Sequence, residues 1–77
     1  MGAPVSIVLQ RNERKKYEQL CRSGKTPVRL KERLTIVLLA KDGLNNGEIA
    51  EHMSISSHMV GRWRNRFAEH GLPGIEK

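Results

Sequence analysis

The stretch "SHMVGRWRNRF", residues 57–67, decides how this chain folds. It holds three of the chain's arginines, Arg62, Arg64 and Arg66, together with its only tryptophan, Trp63, and its only phenylalanine, Phe67. Wound at 3.6 residues per turn, Val60, Trp63 and Phe67 fall on one face. Ser57, His58, Gly61, Arg62 and Asn65 fall largely on the other. A helix that turns its rings to a protein core and its polar side to a polyanion needs this division. Ser56 precedes the stretch as an N-cap, and Gly71 and Pro73 close it, so the spacing predicts a helix over about 57–70.

Working outward, Asn45 and Glu48 stand three apart ahead of Ile49, Ala50 and Met53. That is the geometry of a capping box, with Asn in place of the usual Ser or Thr. A short helix follows, and "SIS", residues 54–56, breaks it. The residue that turns the chain out of a helix favours a left-handed backbone, which suits glycine. Here the position holds Ser54, at a cost of about 1 kcal/mol. Two short helices across a tight turn form a helix-turn-helix. Ala50 supplies the small residue where the backbones approach, and Ile49, Met53, Ile55, Val60 and Trp63 fill the angle between them.

The preceding residues read as support. Tyr17, Leu20 and Cys21 give one narrow apolar face to a helix over about 12–22, capped by Asn12 and stopped by Gly24. Thr26 as cap and Pro27 as first helical residue begin a second helix. Its apolar stripe, Leu30, Leu34, Val37 and Leu38, is widened by Ile36, Leu39 and Ala40, which predicts burial on more than one side, and Gly43 ends it. Pro4 and the β-branched run "VSIVL" make residues 1–9 an extended arm. The expectation is an all-α domain: a small bundle of about four helices with a short N-terminal arm, supporting helices over 12–43 and a helix-turn-helix over 45–71.

Seventy-seven residues with 38% hydrophobic content allow one domain with a thin core. The net charge is +6 and the isoelectric point about 10.1, a balance that favours a polyanionic partner. The charge is unevenly spread: residues 11–33 carry nine basic and three acidic side chains, whereas residues 34–53 carry one and three. The lone Cys21 forms no internal disulfide and points to a reducing, cytoplasmic setting, and on an apolar helix face it reads as a small core residue. No apolar run reaches the length that spans a bilayer, and no signal-peptide pattern opens the chain.

Several chemistries lack their residues. His52, His58 and His70 have no partners at ligand spacing, so no metal or other cofactor is expected. "RSGKT", residues 22–26, lacks the strand and leading glycine of a phosphate-binding loop. No nucleophile, base and acid fall together, and no small-molecule substrate is implied.

"GLNNGEIAEHMSISSHMVGRWRNRFAEHGLPGIEK", residues 43–77, resembles the N-terminal DNA-binding domain of bacterial insertion-sequence transposases of the mariner superfamily. "RSGKTPVRLKERLTIVLLAKDG", residues 22–43, is similar to the segment that leads into it. The pattern is shared with other helix-turn-helix proteins, transcriptional regulators and paired-domain relatives among them. Ser54 at the turn and Gly61 within the last helix depart from it.

The resemblance implies sequence-specific binding to double-stranded DNA, in the bacterial nucleoid, at the ends of a transposon. It leaves a homodimer open. In such transposases the magnesium-dependent chemistry belongs to a separate downstream domain, so this chain is expected not to be an enzyme. A transcriptional regulator is the nearest alternative, and a protein-interaction or assembly domain with basic faces is an alternative of another class.

Docked in a major groove, the last helix would read bases with Ser57, His58, Gly61, Arg62 and Asn65. Arg62 suits guanine and Asn65 adenine, and Gly61 would permit close backbone approach. Backbone phosphates would fall to Arg64 and Arg66, to Asn45 and Ser56 at helix N-termini, and to Arg22, Lys25, Arg29, Lys31 and Arg33.

Overall fold

The computed structural model describes residue 9 and residues 11–76, and the extended arm read into residues 1–9 lies almost wholly outside them. Within the described residues there are four α-helices and a final 3₁₀ turn: α1 (Arg11–Arg22), α2 (Val28–Lys41), α3 (Asn46–Met53), α4 (Ser57–His70) and the 3₁₀ turn Leu72–Gly74. The all-α bundle is the fold that the periodicity predicts.

Helix ends follow local chemistry, with two corrections. Asn12 does not cap α1, which already runs from Arg11; its Oδ1 accepts from the Glu13 N–H at 3.0 Å inside the first turn. Thr26 does not cap α2 either. Pro27 takes the N-cap position at φ −57°, ψ 143°, with no side-chain cap, and its carbonyl accepts the first helical bond from Lys31 N. With Pro27 itself at ψ 143°, the helical backbone begins only at Val28, and Thr26 is buried.

The ends of α2 and α3 share one device. Gly43, at φ 99°, lets Leu44 N reach back to Leu39 O and Gly43 N to Ala40 O. At the end of α3, Ile55 N reaches Ala50 O and Ser54 N reaches Glu51 O. Both are Schellman closures, which need a left-handed residue. Ser54 adopts it at φ 58°, ψ 44° and is the only described non-glycine residue with positive φ.

Helix α2 is the hub. It packs on α1, α3 and α4, so Leu34, Ile36, Val37 and Ala40 are all buried although they cover more than one side of the helix. From α1, Tyr17 meets Phe67 of α4 edge to face, ring centroids 5.8 Å apart, and Arg14 bonds Asp42 at 2.8 Å. Ile49, Ala50, Val60, Trp63 and Phe67 complete the core with Ile75. Ile75 is fully buried. The chain past α4 therefore folds back as a plug, beyond the stop that Gly71 and Pro73 predict. Gly74 makes that return possible, because a Cβ there would lie 2.5 Å from Arg66 O.

Candidate nucleic-acid interface

Both helices of the helix-turn-helix are capped from within. Asn45 Oδ1 accepts from Glu48 N at 2.8 Å while Glu48 Oε1 accepts from Asn45 N at 2.9 Å, a complete capping box. Ser56 Oγ accepts from Met59 N at 3.1 Å and starts α4. These bonds occupy one acceptor each of Asn45 and Ser56 and leave the two N-termini at the surface, where free N–H groups favour anions.

Along α4 the division into faces is real. Val60, Trp63 and Phe67 are buried; Ser57, His58, Arg62 and Asn65 are exposed and form one polar surface. Gly61 stands between Ser57 and Asn65 in helical phase and is partly buried. A Cβ at Gly61 would meet Asn46 Nδ2 of α3 at 3.3 Å, so this glycine lies where α3 and α4 approach each other. Ala50, expected at the close approach of the two helices, is buried.

Arg64 is the clearest departure. It is buried, at 6% exposure, and its Nη1 donates to Asn46 Oδ1 at 2.8 Å and to Leu44 O at 3.4 Å. Burial alone lowers its pKa from the usual arginine value. A guanidinium turned inward to tie α4 to the start of α3 is not placed to meet a backbone phosphate. In helical phase Arg64 stands about 100° from Trp63, on the α3 side rather than the solvent side.

The other arginines divide between two places. Arg33 of α2 stacks on Trp63, its Cζ 3.9 Å from the ring centroid, and Arg62 and Arg66 reach the same indole at 5.5 Å each. Arg29 stands near enough to act on Arg33. The Arg33 pKa is lowered first by burial and then by the like charges of Arg29, Arg66 and Arg62, with Glu32 opposing. Among the described residues no ion pair joins Arg29, Arg33, Arg62 or Arg66 to an acid. Lys31 is on the opposite flank of α2, where its carbonyl faces Cys21 of α1. Arg22 and Lys25 are exposed on the end of α1 and the α1–α2 loop, and no contact brings them to the arginine group.

The described residues contain no cluster of His, Cys, Asp or Glu that would hold a metal ion, and no helix of the described residues is long and apolar enough to cross a membrane. Cys21 is half-buried and free, 3.9 Å from Lys31 O and Thr35 Oγ1, as a small packing residue.

No curated protein and no solved structure matches the chain significantly. A family model does: residues 27–75, the span from the start of α2 to the buried Ile75, match the homeodomain-like domain, and α1 stands outside the match. With more than half of its length matched, the chain belongs to the homeodomain-like domain family, whose helix-turn-helix build suggests DNA binding.

Proposed function

We propose that this protein is a sequence-specific binder of double-stranded DNA that lays α4 in the major groove. The observation that carries the reading is the division of α4: its apolar residues are locked into the core, while Ser57, His58, Arg62 and Asn65 form a continuous exposed polar face. Such a helix presents side chains to base edges without a further backbone ordering cost. Arg62 suits guanine O6 and N7, and Asn65 suits adenine N6 and N7. Ser57 and His58, nearest the N-terminus of α4, reach an edge or a phosphate. The N-termini capped by Asn45 and Ser56, and the cations Arg29, Arg33 and Arg66, are assigned to the backbone; Arg64 is left to the core, and Lys31, Arg22 and Lys25, which stand away from the arginine group, are left out.

The resemblance of residues 43–77 to insertion-sequence transposases supports transposon ends as the target, in a bacterial cytoplasm. Selection from a random duplex pool tests the reading. Recovery of one preferred sequence, bound with steep salt dependence, is the expected result. Location of that sequence in terminal inverted repeats supports the transposase reading, and location in an operator transfers the domain to a regulator. Equal affinity for all duplexes defeats sequence reading.

A further inference from the structure

Where α2 passes the first half of α4, an open cleft of about 290 Å³ lies between them, lined among others by Arg29, Glu32, Arg33, Ile55, Met59 and Trp63. Its floor is the indole of Trp63 with Arg33 stacked on it, and Arg62 and Arg66 stand at the same ring. We infer that Arg29 and Arg33 in the wall of this cleft, with Arg66 at the same indole, form a single phosphate-binding site in which Arg33 and Arg66 are set by the carbonyls of the C-terminal turn. As a site for a DNA phosphodiester it deepens the reading given above and rests on it; as an anion site it stands on the structure alone.

Three observations converge. The first is uncompensated charge. Arg33 feels Arg29, Arg66 and Arg62, with only Glu32 opposing, and among the described residues none of the four is ion-paired. Like charges gathered at one ring and left without an acid favour a bound anion.

The second is preorganisation. Arg33 Nη1 donates to Ile75 O at 2.8 Å, and Arg66 Nε donates to Gly74 O at 2.7 Å. Each guanidinium has five N–H donors in a fixed fork, so one bond to the turn orients the head and leaves donors for an oxyanion. Ile75 anchors the turn in the core, and Gly74 brings it within reach of Arg66. The turn thus acts as a positioning element for two cations.

The third is place. In helical phase Met59, Trp63 and Arg66 lie about 100° round α4 from His58 and Asn65, with Arg62 between them. A phosphate held there would flank a groove read by the exposed face. The site therefore sets the register of α4 rather than reading sequence.

The test uses inorganic pyrophosphate and a short duplex as separate probes. Pyrophosphate is titrated into the whole chain while Trp63 fluorescence and the arginine side-chain N–H signals are followed by NMR. The expected result is a saturable change at Trp63, Arg33 and Arg66 that exceeds the change at the exposed Arg11 and Arg22. Arg29→Gln, at an exposed position, should weaken it. With duplex, R29Q should lower the salt slope by about 1 while keeping the order of preferred sequences.

Gly74→Ala, which displaces the turn, should weaken pyrophosphate binding in the same way wherever circular dichroism shows the helices intact; R29Q carries the test if it does not fold. Uniform small shifts at all arginines, or an unchanged response in R29Q, would overturn the site. A saturable pyrophosphate site in a chain that binds no duplex would keep the site and remove the DNA reading. Duplex binding without the selective response would do the reverse.

Discussion

The Nη1 of Arg64 lies 2.8 Å from Asn46 Oδ1, and the bond ties the middle of the candidate recognition helix to the first residue of α3. It fixes the two halves of the helix-turn-helix against each other on the side away from Trp63. Loss of a partly buried hydrogen bond to a charged group costs about 1.5–3 kcal/mol. Arg64→Ala should lower unfolding free energy by that amount in urea titration. Its DNA affinity, corrected for the folded fraction, should keep the wild-type salt slope, whereas a direct phosphate contact would lower the slope by about 1.

Asn65→Ala tests base reading without touching the core, since Asn65 is exposed. It should cost about 1–3 kcal/mol against the preferred duplex, little against random duplex, and leave the salt slope unchanged. Equal losses on both duplexes would make Asn65 a backbone contact.

Ser54 holds a left-handed backbone at φ 58° and its side chain is exposed. Ser54→Gly removes the steric cost and gives back part of it as chain entropy, so a gain of about 0.5–1 kcal/mol is expected. Ser54→Val should destabilise. Thermal melts of the two variants should move in opposite directions.

The capping box makes Asn45 and Glu48 a coupled pair. Asn45→Ala should cost about 1 kcal/mol. In a double-mutant cycle, Glu48→Ala should cost less once Asn45 is gone. Strict additivity would show that the reciprocal bonds do not form in solution.

Tyr17 supplies the pH dependence. Burial raises its phenol above the ordinary value, and the Glu13 carboxylate, which accepts its hydrogen bond at 3.3 Å, raises it further. A raised pKa in the folded state means that the unfolded chain ionises first, near pH 10. The stabilisation is whole below that pH and is lost as pH rises through the folded-state value. Tyr17→Phe should flatten this alkaline loss in denaturant midpoints measured between neutral and strongly alkaline pH.

The helices and their order were legible in the sequence because each rests on local spacing. The Asn45–Glu48 box, the Ser54 turn, the Ser56 cap and the inward run of Val60, Trp63 and Phe67 all depend on residues within one or two turns of each other. The exposed face of Ser57, His58, Arg62 and Asn65 followed from the same periodicity. What tertiary structure decided was the fate of the cations and of the last turn. A chain of alternating arginines does not say that Arg64 turns inward to Asn46 while Arg66 and Arg33 turn to Gly74 and Ile75. Those pairings join residues as far as 42 positions apart. The same long-range packing makes Ile75 a core residue and places Gly61 against α3. Local periodicity determines which side of a helix is apolar, but the direction of a long guanidinium depends on which distant carbonyl or amide the fold brings within reach.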